Sequence, residues 1–113
     1  MRVAGGWVRD KMLGRESNDI DIALDDMTGQ QFGELVAKKL NVKLGVVKAN
    51  DEMSKHLETA IVRIEGQSID LVNLRGDDWA GDADQTDTTI FGTPQIDASR
   101  RDLTINSLFY NIN

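Results

Sequence analysis

Polar and apolar residues alternate through Asp19-Ile20-Asp21-Ile22-Ala23, the period-two signature of a half-buried strand. Side chains two apart on a strand share a face, so Asp19 and Asp21 are expected on one side, with Ile20 and Ile22 entering the core on the other. The period lengthens after Thr28. Thr28 and Gln31 fit a capping box, and Phe32, Leu35, Val36 and Leu40 follow at helical spacing. Upstream, Arg2-Val3-Ala4 reads as a short strand, and Gly5-Gly6 as a tight turn into a helix over residues 7–13 that stops at Gly14. Downstream, residues 42–48 predict a strand and 49–55 a polar loop. Residues 59–64 pair with 68–74 across Glu65-Gly66-Gln67, which puts Ile69 and Leu71 on one face and Asp70 on the other. The acidic stretch 76–89 has no sustained period and reads as an exposed loop. Thr93-Pro94 is a cap followed by a first-turn proline, opening a final helix that runs toward Tyr110. Hairpins stand where long crossovers would be needed for an all-parallel arrangement, so the expected fold is α/β: a small mixed, mostly antiparallel sheet backed by helices.

Composition narrows the chemistry. The 113 residues are 40% hydrophobic and 28% charged, an ordinary balance for one soluble globular domain. With no cysteine and a single histidine, His56, neither a disulfide framework nor a cysteine- or histidine-based zinc site is available, and metal chemistry has to rest on carboxylates. A formal charge of −6 argues against gripping a nucleic acid by broad phosphate neutralisation. No apolar run approaches the ~18 residues that cross a bilayer, so no membrane partner is expected. Met1-Arg2-Val3-Ala4 leads straight into the glycine pair, without the apolar stretch of a signal peptide, and the abrupt start reads as missing upstream sequence.

Two carboxylates on one strand face suit magnesium, which takes hard oxygen ligands and commonly joins one or two carboxylates to substrate phosphates. Asp70, on the second hairpin strand, suits either a third converging carboxylate or a core-edge acid with a structural hydrogen bond. An isolated Asp-x-Asp is more often an exposed strand edge, so its surroundings decide. Gly5 and Gly6, without side chains, let backbone N–H groups approach a phosphate at a helix start, and Arg9 follows about one turn later, placed either to contact the phosphates or to pair near Asp10. Arg100-Arg101-Asp102 and Asn106 are expected on the last helix, with Asp102 and Asn106 on one face. That face offers forked donors for phosphate and hydrogen-bond partners for a ribose.

Taken together these pieces resemble a known family. Gly5-Gly6-Trp7-Val8-Arg9-Asp10-Lys11-Met12-Leu13-Gly14-Arg15 followed by Asp19-Ile20-Asp21-Ile22-Ala23 is similar to the signature motif of class II tRNA nucleotidyltransferases, the CCA-adding enzymes of the DNA polymerase β superfamily. Arg100-Arg101-Asp102-Leu103-Thr104-Ile105-Asn106-Ser107-Leu108-Phe109-Tyr110 resembles their second motif. Ser54-Lys55-His56-Leu57-Glu58-Thr59-Ala60, Ile69-Asp70-Leu71-Val72-Asn73-Leu74-Arg75 and Phe91-Gly92-Thr93-Pro94 resemble the eukaryotic, especially fungal, branch.

The resemblance implies that residues 1–113 form a polymerase β-like catalytic head. Asp19 and Asp21 would be metal ligands for Mg2+, with Asp70 beside them in catalysis. Gly5, Gly6 and Arg9 would surround the triphosphate, and Arg101, Asp102 and Asn106 the ribose and incoming nucleotide. The implied reaction transfers CMP and AMP from CTP and ATP to the tRNA 3′ end, in the cytoplasm, nucleus or mitochondrion of a eukaryote. The family's base-reading neck and its tRNA-holding body and tail are expected after Asn113. A poly(A) polymerase, a CC- or A-adding relative, or a non-catalytic nucleotide-binding remnant would share the same head motifs. His56, the acids Asp77, Asp78, Asp82, Asp84 and Asp87, and Trp79 are read as loop residues, and Trp7 as core or core-edge packing.

Overall fold

A computed structural model describes residues 1–47, 59–74 and 91–113. The elements run β1 (Arg2–Ala4), α1 (Gly6–Met12), β2 (Ile20–Leu24), α2 (Gly29–Leu40), β3 (Leu44–Val47), β4 (Thr59–Ile64), β5 (Gln67–Asn73), α3 (Pro94–Ser99), a 3-10 turn (Thr104–Asn106) and β6 (Phe109–Asn111). The strands form one six-stranded sheet in the order β3-β4-β5-β2-β1-β6. The central pair β2 and β5 is parallel, and every other neighbouring pair is antiparallel, which is the mixed, mostly antiparallel sheet expected from the pattern. The loops expected at 49–55 and 76–89, together with His56, Trp79 and the acids from Asp77 to Asp87, lie outside the described residues.

Local chemistry sets most of the boundaries. Thr28 accepts a hydrogen bond from the Gln31 N–H, and the Gln31 side chain accepts one from the Thr28 N–H, so the capping box satisfies both groups at the start of α2. Asn41 ends that helix in the left-handed conformation at φ 53°, as short polar residues do at helix C-termini. Between β4 and β5, Glu65 and Gly66 have φ of 49° and 84°. That is the pair of positive values a two-residue hairpin turn with the strands' own twist requires.

The register sorts side chains onto two faces. On one, Ala60, Val62 and Leu71 are buried, with Ile22, Ile69, Phe32 and Val36 packed against them. Helix α2 covers this face, held close because its contact positions are glycines. A Cβ on Gly29 would collide with the Leu71 carbonyl, and one on Gly33 would meet Leu44 Cδ1 at 2.6 Å and Ala60 Cβ at 3.3 Å. Leu35 and Leu40 of the same helix are exposed. On the opposite face Ala4, Ala23 and Leu74 form a second buried cluster with Val72 and Phe109.

The expected final helix is corrected. It begins as anticipated, with the Thr93 hydroxyl accepting from the Ile96 N–H and Pro94 in the first turn, but it ends at Ser99. The Ser99 hydroxyl donates back to the Ile96 carbonyl at 2.8 Å, a side-chain bond that competes with helix continuation. The chain then makes the 3-10 turn and returns as β6 alongside β1, with Arg2 opposite Asn111, Val3 opposite Tyr110 and Ala4 opposite Phe109. Arg100, Arg101, Asp102 and Asn106 therefore stand outside α3, and Asp102 and Asn106 do not share a helix face.

Replacing Gly29 with alanine is expected to destabilise the fold by about 1–3 kcal/mol, the usual range for overpacking a tight contact. Gly45→Ala, whose Cβ would sit 3.7 Å from the nearest atom, should change stability by less than about 0.5 kcal/mol; urea titration of both variants checks this. A second expectation concerns Arg2 and Asp25, whose side chains pair beside β1 and hold the Asp25 carboxyl below the usual range. A depressed carboxylate contributes stability above its unfolded pKa and loses it as pH falls through the folded one. Asp25→Asn should accordingly lower the melting temperature slightly at pH 7, consistent with an exposed pair worth less than about 1 kcal/mol, and the gap should close on acidification below the carboxylate range.

Candidate active site

The parallel register places Asp21 directly opposite Asp70, and the antiparallel register on the other side places Asp21 opposite Ala4 and Ala4 opposite Phe109. One row across four strands therefore reads Asp70, Asp21, Ala4, Phe109, all on the face away from α2. Asp19, exposed, immediately precedes β2. It is close enough to influence both other acids. Burial, then Asp19, then Asp70 raise the Asp21 carboxyl above its ordinary value, while Arg101 pulls it down. Burial and then Asp19 raise Asp70. The structure thus brings the three predicted carboxylates into one mutually repelling group. Among the described residues no three or more acidic, cysteine or imidazole side chains are grouped so that they could together hold a metal ion.

A second group borders the first. Gly5 takes φ 67°, in the left-handed region that favours glycine, and its N–H donates to the Leu108 carbonyl at 2.9 Å. A Cβ there would lie 3.0 Å from Arg101 Nη1, so the bare turn also makes room for that guanidinium. Gly6 opens α1. Arg9 donates from Nε to Asp10 Oδ1 at 2.8 Å and from Nη1 to Asn106 Oδ1 at 2.7 Å, so it pairs with Asp10 while its guanidinium lies beside Gly6. Arg101 donates from Nη1 to the Asn106 carbonyl at 3.2 Å and sits 5.3 Å above the Phe109 ring centroid. Asn106 thereby ties both arginines to the turn that follows β1. Asp102 is exposed and accepts from the Leu103 N–H at 2.8 Å, which is a local bond, so the structure does not bring it together with Asn106 as the helical reading had it.

One residue was missed. Asp97, in α3, is only 9% exposed; its Oδ2 accepts from Arg101 Nε at 3.0 Å and ion-pairs with Nη2 at the same distance. Its spacing of four from Arg101 was the available signal. Trp7 packs edge-on to Tyr110, with centroids 6.5 Å apart, and Lys11 lies over its ring, as core-edge packing.

The whole chain, residues 1–113, matches the family model described as the poly A polymerase head domain. A relative in Schizosaccharomyces pombe, the tRNA nucleotidyltransferase cca1, is 48% identical over 99% of this chain and 24% of its own length. The mitochondrial CCA tRNA nucleotidyltransferase of Candida glabrata is 46% identical over 99% of this chain and 23% of its own. Among solved structures, a CCA-adding enzyme in complex with ATP superposes with a TM-score of 0.65 at 32% identity, over 96% of this chain and 22% of that one. The chain therefore spans about a quarter of the length of these relatives.

Asp21 is raised by burial and by like charges, so its ionised form opposes folding whenever no cation is present. In chelator-treated protein at pH 7, Asp21→Asn is expected to melt at a higher temperature than the unsubstituted chain. A fall in melting temperature would mark Asp21 as a structural acid instead.

Proposed function

Since this chain belongs to the poly A polymerase head-domain family, we propose that it is the catalytic head of a CCA-adding tRNA nucleotidyltransferase, transferring CMP and AMP from CTP and ATP to the tRNA 3′ end. The observation that carries the reading is the group of Asp19, Asp21 and Asp70 at the sheet face away from α2, with Arg101 in electrostatic reach of Asp21 and Arg9 joined to the same Asn106. Support also comes from relatives 46–48% identical whose names specify tRNA nucleotidyl transfer.

The chemistry of this family implies a divalent metal, and the donor set fits one. Asp21, raised by burial and by Asp19 and Asp70, is short of counter-charge, of which Arg101 supplies some. Asp19 and Asp21 are the residues that would hold Mg2+, which typically uses one or two carboxylates and completes its shell from phosphates and water. Bound there, the metal would supply charge stabilisation for phosphoryl transfer.

The protein's own groups account for the rest. The side-chain-free turn at Gly5 and Gly6 admits a triphosphate close to the backbone. Arg9 and Arg101, held by Asn106, present fixed positive charge to its oxygens, which stabilises charge already in place as the bond to pyrophosphate lengthens. Asp70, opposite Asp21, is placed to orient the attacking 3′-hydroxyl and accept its proton. Asn106 acts through the arginines it holds, and Asp102 is left exposed for a ribose hydroxyl. Residues 1–113 make up one such head, and tRNA is held mainly by regions outside it, consistent with the net negative charge.

The test is incorporation of labelled CTP and ATP, with Mg2+, into tRNA lacking its CCA end by the full-length protein that contains this chain. Both nucleotides should be added, in order and limited to three positions. Asp21→Ala should lower kcat by about a thousandfold, the order at stake when charge stabilisation of a transition state is lost, with little change in melting temperature. Long adenylate tails would point to a poly(A) polymerase, addition of only C or only A to a specialised relative, and no incorporation to a non-catalytic head.

A further inference from the structure

Arg101 is the cation through which the second group reaches the carboxylates, yet it lies beyond the end of α3, in a stretch with no regular hydrogen-bond ladder. An unsupported arginine there would sample many rotamers, and fixing it would cost a large share of its side-chain entropy. Three contacts restrict it. Asp97 Oδ2 takes both Nε and Nη2 at 3.0 Å, the Asn106 carbonyl takes Nη1 at 3.2 Å, and the Phe109 ring underlies the guanidinium. An arginine has five N–H donors, and among the described residues these contacts do not use all of those on Nη1 and Nη2. Asp97 is the one charged member of this set. It is nearly buried and anchored on a helix, whereas the other two contacts are a backbone carbonyl and a ring.

We propose that Asp97 is a positioning residue for nucleotide binding: its carboxylate grips the Nε edge of Arg101 and leaves the remaining N–H groups aimed at an anionic oxygen of the incoming nucleoside triphosphate. The proposal rests on the reading of Arg101 as a nucleotide contact. Asp97 itself touches neither substrate nor metal. Its effect is to keep the guanidinium over Phe109, where its charge also reaches Asp21, rather than swung out toward solvent. With Nε and Nη2 both drawn to the one oxygen Oδ2, the edge of the guanidinium is held in one direction, so truncating or neutralising the acid should misplace Arg101 without removing it.

The experiment is a double-mutant cycle in the full-length protein, reading the equilibrium Kd for CTP and ATP together with KM, kcat and melting temperature. Asp97→Ala is expected to raise Kd and KM about tenfold, the low end of what losing a supporting partner costs, with a smaller change in kcat. Arg101→Ala should weaken binding at least as much, and the double variant no further than Arg101→Ala alone. Asp97→Asn, which keeps the shape and one acceptor oxygen, should fold normally and fall between the unsubstituted protein and Asp97→Ala; it carries the test if the alanine variant does not fold. Penalties that multiply in the double variant, or a lowered melting temperature with unchanged Kd, would overturn the proposal and leave Asp97 a purely structural acid. If Arg101→Ala weakens binding and neither Asp97 variant does, positioning fails while the nucleotide reading of Arg101 stands. If Arg101→Ala leaves Kd unchanged, that reading fails too.

Discussion

The parallel pairing of β2 with β5 is the contact on which the rest of the molecule depends. Its register sets Asp21 opposite Asp70 and, one residue on, Ile22 opposite Leu71. A single alignment thus decides two things: three acids gather on one face, and the apolar residues that α2 needs stand on the other. A one-residue slip along a strand exchanges its faces. It would bury Asp21 beneath α2 and expose Ile22 where the acids belong. Burying an ionised carboxylate without a partner is costly, so the wrong register is opposed from both sides at once. Parallel neighbours also need a connection longer than a hairpin turn, and here the intervening chain carries α2, β3 and β4.

Helix α2 is the counterweight to the repulsion. Its two glycines let it lie almost on the backbone of β5, and the Gly29 N–H reaches Asn73 Oδ1 at 2.8 Å. Residues on β5 therefore have the helix against one side and Asp70 projecting from the other. Close packing of this kind resists continuous deformation, which keeps the carboxylates in place although Asp19 and Asp70 raise the proton affinity of Asp21. The arginine group across β1 answers the same charge from the far side. It is assembled by the return of the chain as β6, since Phe109 both completes the row and forms the floor under Arg101.

How legible this was in the sequence varied with the range of the interaction. The half-buried strand at Asp19–Ala23, the capping box at Thr28 and Gln31, the proline start at Thr93-Pro94 and the hairpin at Glu65-Gly66-Gln67 are each written within a few residues, and each stands within one residue of where the pattern put it, β2 beginning at Ile20 and Gln67 joining β5. The last helix was misread because its end is decided elsewhere. Nothing local between Arg100 and Tyr110 announces that residues 109–111 will pair with residues 2–4, and the apolar spacing there is equally compatible with a helix. The same non-local pairing brings Asn106 against Arg9 and Arg101. Its role as the tie between two arginines was therefore hidden, and Asp102 was given a neighbour it does not have. The family resemblance and the local reading singled out the same residues, and the local reading gave some of them the wrong scaffold.

That difference matters for how the acidic motif is understood. Asp19 and Asp21 alone are two acids at a strand start, and spacing makes them neighbours without making them a site. What distinguishes them is that the fold sets Asp21 opposite a third acid and brings a restrained cation, Arg101, within reach of it, with a second restrained arginine tied to the same Asn106. Arg9 is pinned by Asp10 and Asn106, and Arg101 by Asp97 and a backbone carbonyl. Preorganised charge is more effective than mobile charge because it need not reorient when the charge on the substrate changes. The expected strength of this site therefore lies less in the identity of the acids than in the rigidity of the frame that keeps opposite charges near and still apart.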